Sequence, residues 1–163
     1  MNPTSLLAPA RLLPLLALLL LQPGHAQTTK ALDITTVIED QTGPAARCPS
    51  NFGSTITGRG TGAIFGTVVL MAIDCVAPQG PLFVFSAGKI VIVTAAGHQL
   101  FANYSGQMVP TGIGYNYVLS GATFQITGGL GAFAKATGGG TLQGSENLAT
   151  GVGQLKILGK VTY

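Results

Sequence analysis

The sequence predicts an all-β domain, a sandwich or a barrel, and three observations carry that expectation. Glycine is abundant and charge is scarce: 24 of 163 residues are Gly, against 8 Lys plus Arg and 5 Asp plus Glu. That glycine share is about twice the ordinary usage of about 7%. Apolar residues recur at a period of two, or in β-branched runs, and never as a 3.6-residue stripe. Turn residues fall at intervals of about 8–12 positions, which separates roughly eight to ten strand candidates. The same facts exclude other classes. No G-X-Y period goes with the glycine, so the chain is not collagen-like. Low charge with 47% apolar residues argues against general disorder. A helical bundle is disfavoured because each interior glycine costs a helix about 1 kcal/mol.

Residues 1–26 read as a secretory signal peptide, leaving 27–163 as a single domain. Arg11 precedes an apolar run, Leu12 to Leu21, broken only by Pro14. Gln22-Pro23-Gly24 then ends the run, and Gly24 and Ala26 are the small residues of a cleavage site before Gln27. A membrane helix needs about 20 apolar residues, roughly twice what this run offers. Cleavage removes Arg11 and takes one charge off the formal +3. It also removes His25, leaving His98 as the sole histidine, while every glycine but Gly24 stays. Export fits the cysteine count. Cys48 and Cys75 form an even pair, expected to join as a disulfide closing a loop worth roughly 3–4 kcal/mol. Two free buried thiols are the alternative.

The strands are expected in order. Ala31 to Glu39 alternates for most of its length. Asp40 to Asn51, with Pro44 and Pro49, reads as a loop carrying Cys48. Ala63 to Val76 is one long apolar strand or a strand pair, and Ala77 to Pro81 a turn. Leu82 to Ser86 reads as a short strand. Lys89 to Thr94 is the strongest strand signal. Ala95-Ala96-Gly97 connects it tightly to His98–Ser105 as a hairpin. Tyr115 to Thr127 alternates again. Gln154 to Tyr163 closes the chain, with Leu155, Ile157, Val161 and Tyr163 on one face. A weak internal echo sets Thr57–Phe65 against Thr127–Phe133, each placing a Phe after a glycine-rich bend. It reads as two similar turns or as a duplicated barrel corner.

Candidate chemistry is sparse. Gly58-Arg59-Gly60-Thr61-Gly62 and Gly128-Gly129-Leu130-Gly131 suggest phosphate loops at a glance. Such a loop opens a helix, whose N-terminus faces the phosphate, and here strand follows. Nucleotide binding is therefore not expected, and these glycines suit positive φ, bulges and bends. Nucleophilic hydrolysis lacks support: Ser86 sits outside a nucleophile elbow, and His98 reads as an exposed turn residue. Asp33, Glu39, Asp40, Asp74 and Glu146 show no glycosidase pairing and read as solvated strand ends or loop residues. The few scattered cations form no basic stripe for nucleic acid. Two Cys and one His are too few for zinc, so neither metal nor other cofactor is expected. Asn103-Tyr104-Ser105 matches a glycosylation sequon. The aromatics crowd the second half. If a ligand is bound, the expectation is a small apolar molecule held among Tyr104, Tyr115, Tyr117 and Phe124. The competing reading is that these rings simply fill a small barrel.

The stretch Ile126 to Leu142 resembles the I-x-G-G-x-G-x-F-x-x-A-x-G segment of the allene oxide cyclase and dirigent-like barrels, above all their secreted bacterial members. Gly97-His98-Gln99-Leu100 with Tyr104-Ser105-Gly106 is similar to a G-D-x-L…Y-x-G pattern there, with His98 where Asp is usual. The resemblance covers about a third of the chain. It implies a closed eight-stranded antiparallel barrel in which the glycine-rich segment is a strand–turn–strand element. It also implies an isomerase or cyclase shaping an apolar substrate, as one alternative to simple binding. No catalytic residue carries over by position. The remaining alternative is a small outer-membrane barrel, suggested by the closing alternation and Tyr163. The absence of Trp and the shortness of several expected strands stand against membrane association.

Overall fold

In the computed structural model, which describes residues 27–163, the chain is one closed antiparallel β-barrel of eight strands. Their ranges are β1 Thr29–Pro44, β2 Phe52–Gly62, β3 Gly66–Gln79, β4 Leu82–Thr94, β5 Gln99–Pro110, β6 Asn116–Leu130, β7 Thr137–Asn147 and β8 Val152–Thr162. Each strand pairs with the next, and β1 pairs with β8 to close the ring. Closure removes the unpaired edges that an open sheet leaves. The expected signal segment 1–26 lies outside the described residues.

Alternation sorts the side chains. Leu32, Ile34, Thr36 and Ile38 of β1 point inward, and Asp33, Thr35, Val37 and Glu39 point out. Leu155, Ile157 and Val161 of β8 are buried on one face, as the closing alternation predicts. Inside, Leu32, Ile34, Leu70, Leu100 and Ile157 are at most 2% exposed, so the middle of the barrel is solid.

Several expected boundaries move. Asp40–Pro44 is not loop but the end of β1, paired with β2 through Pro44↔Phe52. Pro44 is tolerated there because it is the last residue of the ladder. The loop proper is Ala45–Asn51. Ala63–Phe65 is a turn, so β3 begins at Gly66 and runs to Gln79. Leu82–Ser86 and Lys89–Thr94 are one strand, β4, with a register shift between Phe85 and Gly88. A bulge adds residues without ending the ladder. Ala87, at φ 51°, sits in that bulge.

The two ends of the barrel differ. At one end lie the β2–β3, β4–β5 and β6–β7 connections, and there aromatic rings make a plug. Phe133, in the 3-10 turn Gly131–Phe133, packs at a tilt against Phe65 at 5.2 Å and edge-on against Tyr163 at 4.9 Å. The two phenylalanines of the internal echo thus follow reversals at the same end and meet. His98 joins this plug edge-on to Phe133 at 6.2 Å, and its Nδ1 accepts the Ala132 N–H. It is half-buried rather than an exposed turn residue, because the 3-10 turn folds back over it. At the other end the Ala45–Asn51 loop is tied to β3 by the Cys48–Cys75 disulfide, with Cα atoms 5.3 Å apart. Ala45 and the two cysteines form a small buried cluster under this loop.

Candidate functional site

Near the disulfide end the apolar filling stops and a small cavity begins, with a volume of about 60 Å³. Four strands bring polar groups to it: Asp40 from β1, Asp74 from β3, Tyr104 from β5 and Glu146 from β7. Ser54 of β2 adds a hydroxyl. The remaining strands offer only apolar walls here, including Phe83 and Phe85 of β4, Leu119 of β6 and Leu155 of β8.

The placement follows from the inward phase of each strand. Asp40 continues the series Leu32, Ile34, Thr36, Ile38. Asp74 continues Val68, Leu70, Ala72, and Glu146 lies two pleats beyond Leu142. Sequence reasoning took these carboxylates for solvated residues, and the structure corrects that. Asp74 is 4% exposed and Glu146 7%, while Asp40 is partly buried. The available signal was the phase of alternation. Asp33 and Glu39, in the opposite phase, do face solvent, and Asp33 stands 3.9 Å from Lys156.

Hydrogen bonding in the cavity is incomplete. The Tyr104 hydroxyl donates to Asp74 Oδ2 at 2.9 Å. Asp74 Oδ1 and Asp40 Oδ1 are buried and have no partner. The nearest cation, Arg47, is exposed and spends its guanidinium on main-chain carbonyls, those of Ser54 at 2.9 Å and Asp74 at 2.8 Å. Burial disfavours the charged form of every acid in the group. It pushes Asp40 up to about 6, with the Ser54 and Thr42 hydroxyls offsetting part of the effect and the Asp74 charge adding to it. Glu146 is pushed to about 7, again by burial first and then by the Asp40 and Asp74 charges. Asp74 is raised by burial, opposed by the Tyr104 hydrogen bond. Burial and the Asp74 charge hold the Tyr104 hydroxyl protonated, so it acts as a donor.

The four aromatic candidates separate. Tyr104 enters the cavity wall, and Phe124, its cross-strand partner on β6, is buried in the core. Tyr117 is half-buried and packs on the cavity-lining Phe83 at 5.6 Å. Tyr115 does not join them: it is 67% exposed in the β5–β6 loop, where the strand phase no longer applies. Gly88 fixes the Tyr104 ring, since a Cβ there would come within 2.6 Å of it. Ser86 is exposed near the disulfide end while His98 sits in the opposite plug, so they form no dyad. Asn103 of the sequon is exposed on the outer face. Among the described residues no group of three His, Cys, Asp or Glu side chains is close enough to hold a metal ion.

The fold and the cavity define a class: a small closed barrel, plugged by aromatics at one end and acid-lined near the other. No protein-family model, curated protein or solved structure matches the chain.

Proposed function

We propose that the protein is an exported binding barrel, which takes the polar end of a small, largely apolar molecule into the acid-lined cavity. One observation carries the reading. Asp74 is almost wholly buried, its Oδ1 has no hydrogen-bond partner among the described residues, and the residue lines a cavity that it shares with Asp40, Tyr104 and Glu146. Leaving a buried acceptor unsatisfied costs about 1–3 kcal/mol, more when charged. A fold gains nothing from such orphaned acceptors, at Asp40 as at Asp74, whereas a ligand would complete them. Phe83, Met108 and Leu119 supply the apolar contact for the rest of the molecule. Export is supported by the character of residues 1–26, and the disulfide is consistent with an oxidising compartment.

Methyl-resolved NMR with a set of slim aliphatic fragments, each bearing one hydroxyl or amine, tests the reading. The expected result is shifts confined to Met108, Leu119, Leu142 and Leu155. Shifts on the outer wall alone, or none, would overturn it.

A second reading, a barrel-pocket isomerase or cyclase, is favoured by the Tyr104–Asp74 pair beside two carboxyls that titrate near neutrality. It is supported also by the resemblance of the glycine-rich segment. At about 60 Å³, against about 300–1,000 Å³ for a usual small-molecule pocket, the cavity admits one end of a molecule rather than a whole substrate, which places catalysis second. Under that reading Tyr104→Phe abolishes turnover of a bound fragment and spares its binding. An outer-membrane barrel has polar residues inside and apolar ones outside. The apolar interior here, with Asp33, Lys156 and Lys160 on the outer wall, supports a barrel surrounded by water.

A further inference from the structure

We infer that the acid-lined cavity selects a primary ammonium group, so that the ligand of the proposed binding barrel is a slim aliphatic amine entering head first. The inference rests on the binding reading and specifies its chemistry.

Three carboxyl groups from β1, β3 and β7 face one small space into which no cation of the described residues reaches. Arg47, the nearest, is turned onto main-chain carbonyls. Two of the carboxylate oxygens lack any hydrogen-bond partner, and one belongs to a side chain only 4% exposed. The group is thus rich in acceptors and short of donors. A primary ammonium supplies three donors and one positive charge in a compact head. The size agrees, because a water needs ~10–15 Å³ of such volume and the cavity offers about 60 Å³. An aliphatic body suits the walls, as β4, β6 and β8 present no titratable group to the cavity. The polar groups of β2 and β5 there are the Ser54 hydroxyl and Tyr104, beside the apolar Ile56 and Met108.

Binding is then coupled to proton release. Asp40 titrates near 6 and Glu146 near 7, so in mild acid the cavity carries bound protons. A cation favours the charged carboxylates and displaces those protons. Affinity consequently rises with pH, by about tenfold per unit for each proton displaced, until the carboxyls are fully ionised.

Calorimetric titration of the disulfide-bonded protein with n-butylammonium chloride, and with n-butanol as the uncharged control, tests this at about pH 5 and about pH 8. At the higher pH the ammonium is expected to bind at least about tenfold more tightly than butanol, and at least about tenfold more tightly than at the lower pH. The binding heat should vary with the buffer's ionisation enthalpy at intermediate pH. Asp74→Asn and Glu146→Gln, each checked for the wild-type far-UV spectrum, should weaken the ammonium at least about tenfold more than they weaken butanol. Equal binding of ammonium and butanol overturns the ammonium inference and leaves the binding barrel standing. Ammonium binding untouched by both substitutions overturns it too, by locating the cation elsewhere. If neither compound binds, the inference and the binding barrel fall together.

Discussion

Glu146 illustrates what one inward pleat does to a carboxylate. The same residue one position away would face water. Its neighbour Ser145 does so and is exposed. Burial raises the folded-state value from 4.5 to about 7, so the native protein holds a proton that the unfolded chain releases. Its contribution to stability is therefore present below about pH 4.5 and is lost as pH rises through about 7. Glu146→Gln removes the titration. In urea denaturation at pH 8 the variant should be more stable than wild type by about 1–3 kcal/mol, with the difference vanishing near pH 4. Tyr104→Phe acts in the other direction. It deletes the Tyr104 donor on Asp74 Oδ2, in a buried carboxyl whose Oδ1 already lacks a partner. A loss of about 1–3 kcal/mol is expected, larger at pH 8 than at pH 5, because the lost hydrogen bond favoured the charged form. Equal losses at both pH values would show that the hydroxyl does not face a titrating group.

At the scale of elements, the disulfide end is built from pieces that local sequence describes poorly. Pro44 and Pro49 suggested a loop from Asp40 onward. The ladder with β2 nonetheless continues to Pro44 and carries Asp40 inward. The bulge at Ser86-Ala87 likewise hides the continuity of β4, because it interrupts the alternation that marks a strand. By contrast β8, with both faces well defined, was legible residue by residue. The Cys48–Cys75 link was legible from the even cysteine count, and it spans 27 positions. Without it the Ala45–Asn51 loop is held chiefly by Arg47 and turn hydrogen bonds. Cys48→Ala with Cys75→Ala should lower the unfolding free energy by about 3–4 kcal/mol. Addition of a thiol reductant should have no effect on the stability of that double variant.

The whole molecule is a barrel with a hydrophobic plug at one end and unsatisfied acids at the other. The plug and the solid middle supply the stability that the acidic end can then forgo. Because Asp40 and Glu146 both gain protons on folding, the wild-type melting temperature should be highest on the acid side of neutrality. It should fall between pH 3.8, where Asp40 of the unfolded chain begins to ionise, and about 7, and level off above. A melting temperature rising across that interval would contradict the burial of these groups. The pH dependence should shrink in Glu146→Gln, which ties the molecular behaviour to its residue.

The sequence by itself determined the fold class, the strand alternation and the pairing of the cysteines, whereas the glycine clusters it assigned to bends lie largely inside β2, β6 and β7, where strands approach closely. Each is a local property: period, composition and turn chemistry are written in neighbouring residues. Tertiary structure alone decided that Asp40, Asp74 and Glu146 share a cavity with Tyr104, while Tyr115 stays outside. These residues are brought together by ring closure and by bulges that set the register of strands far apart in the chain. An aspartate at the end of an alternating run reads as solvated until the barrel closes and gives that face an inside.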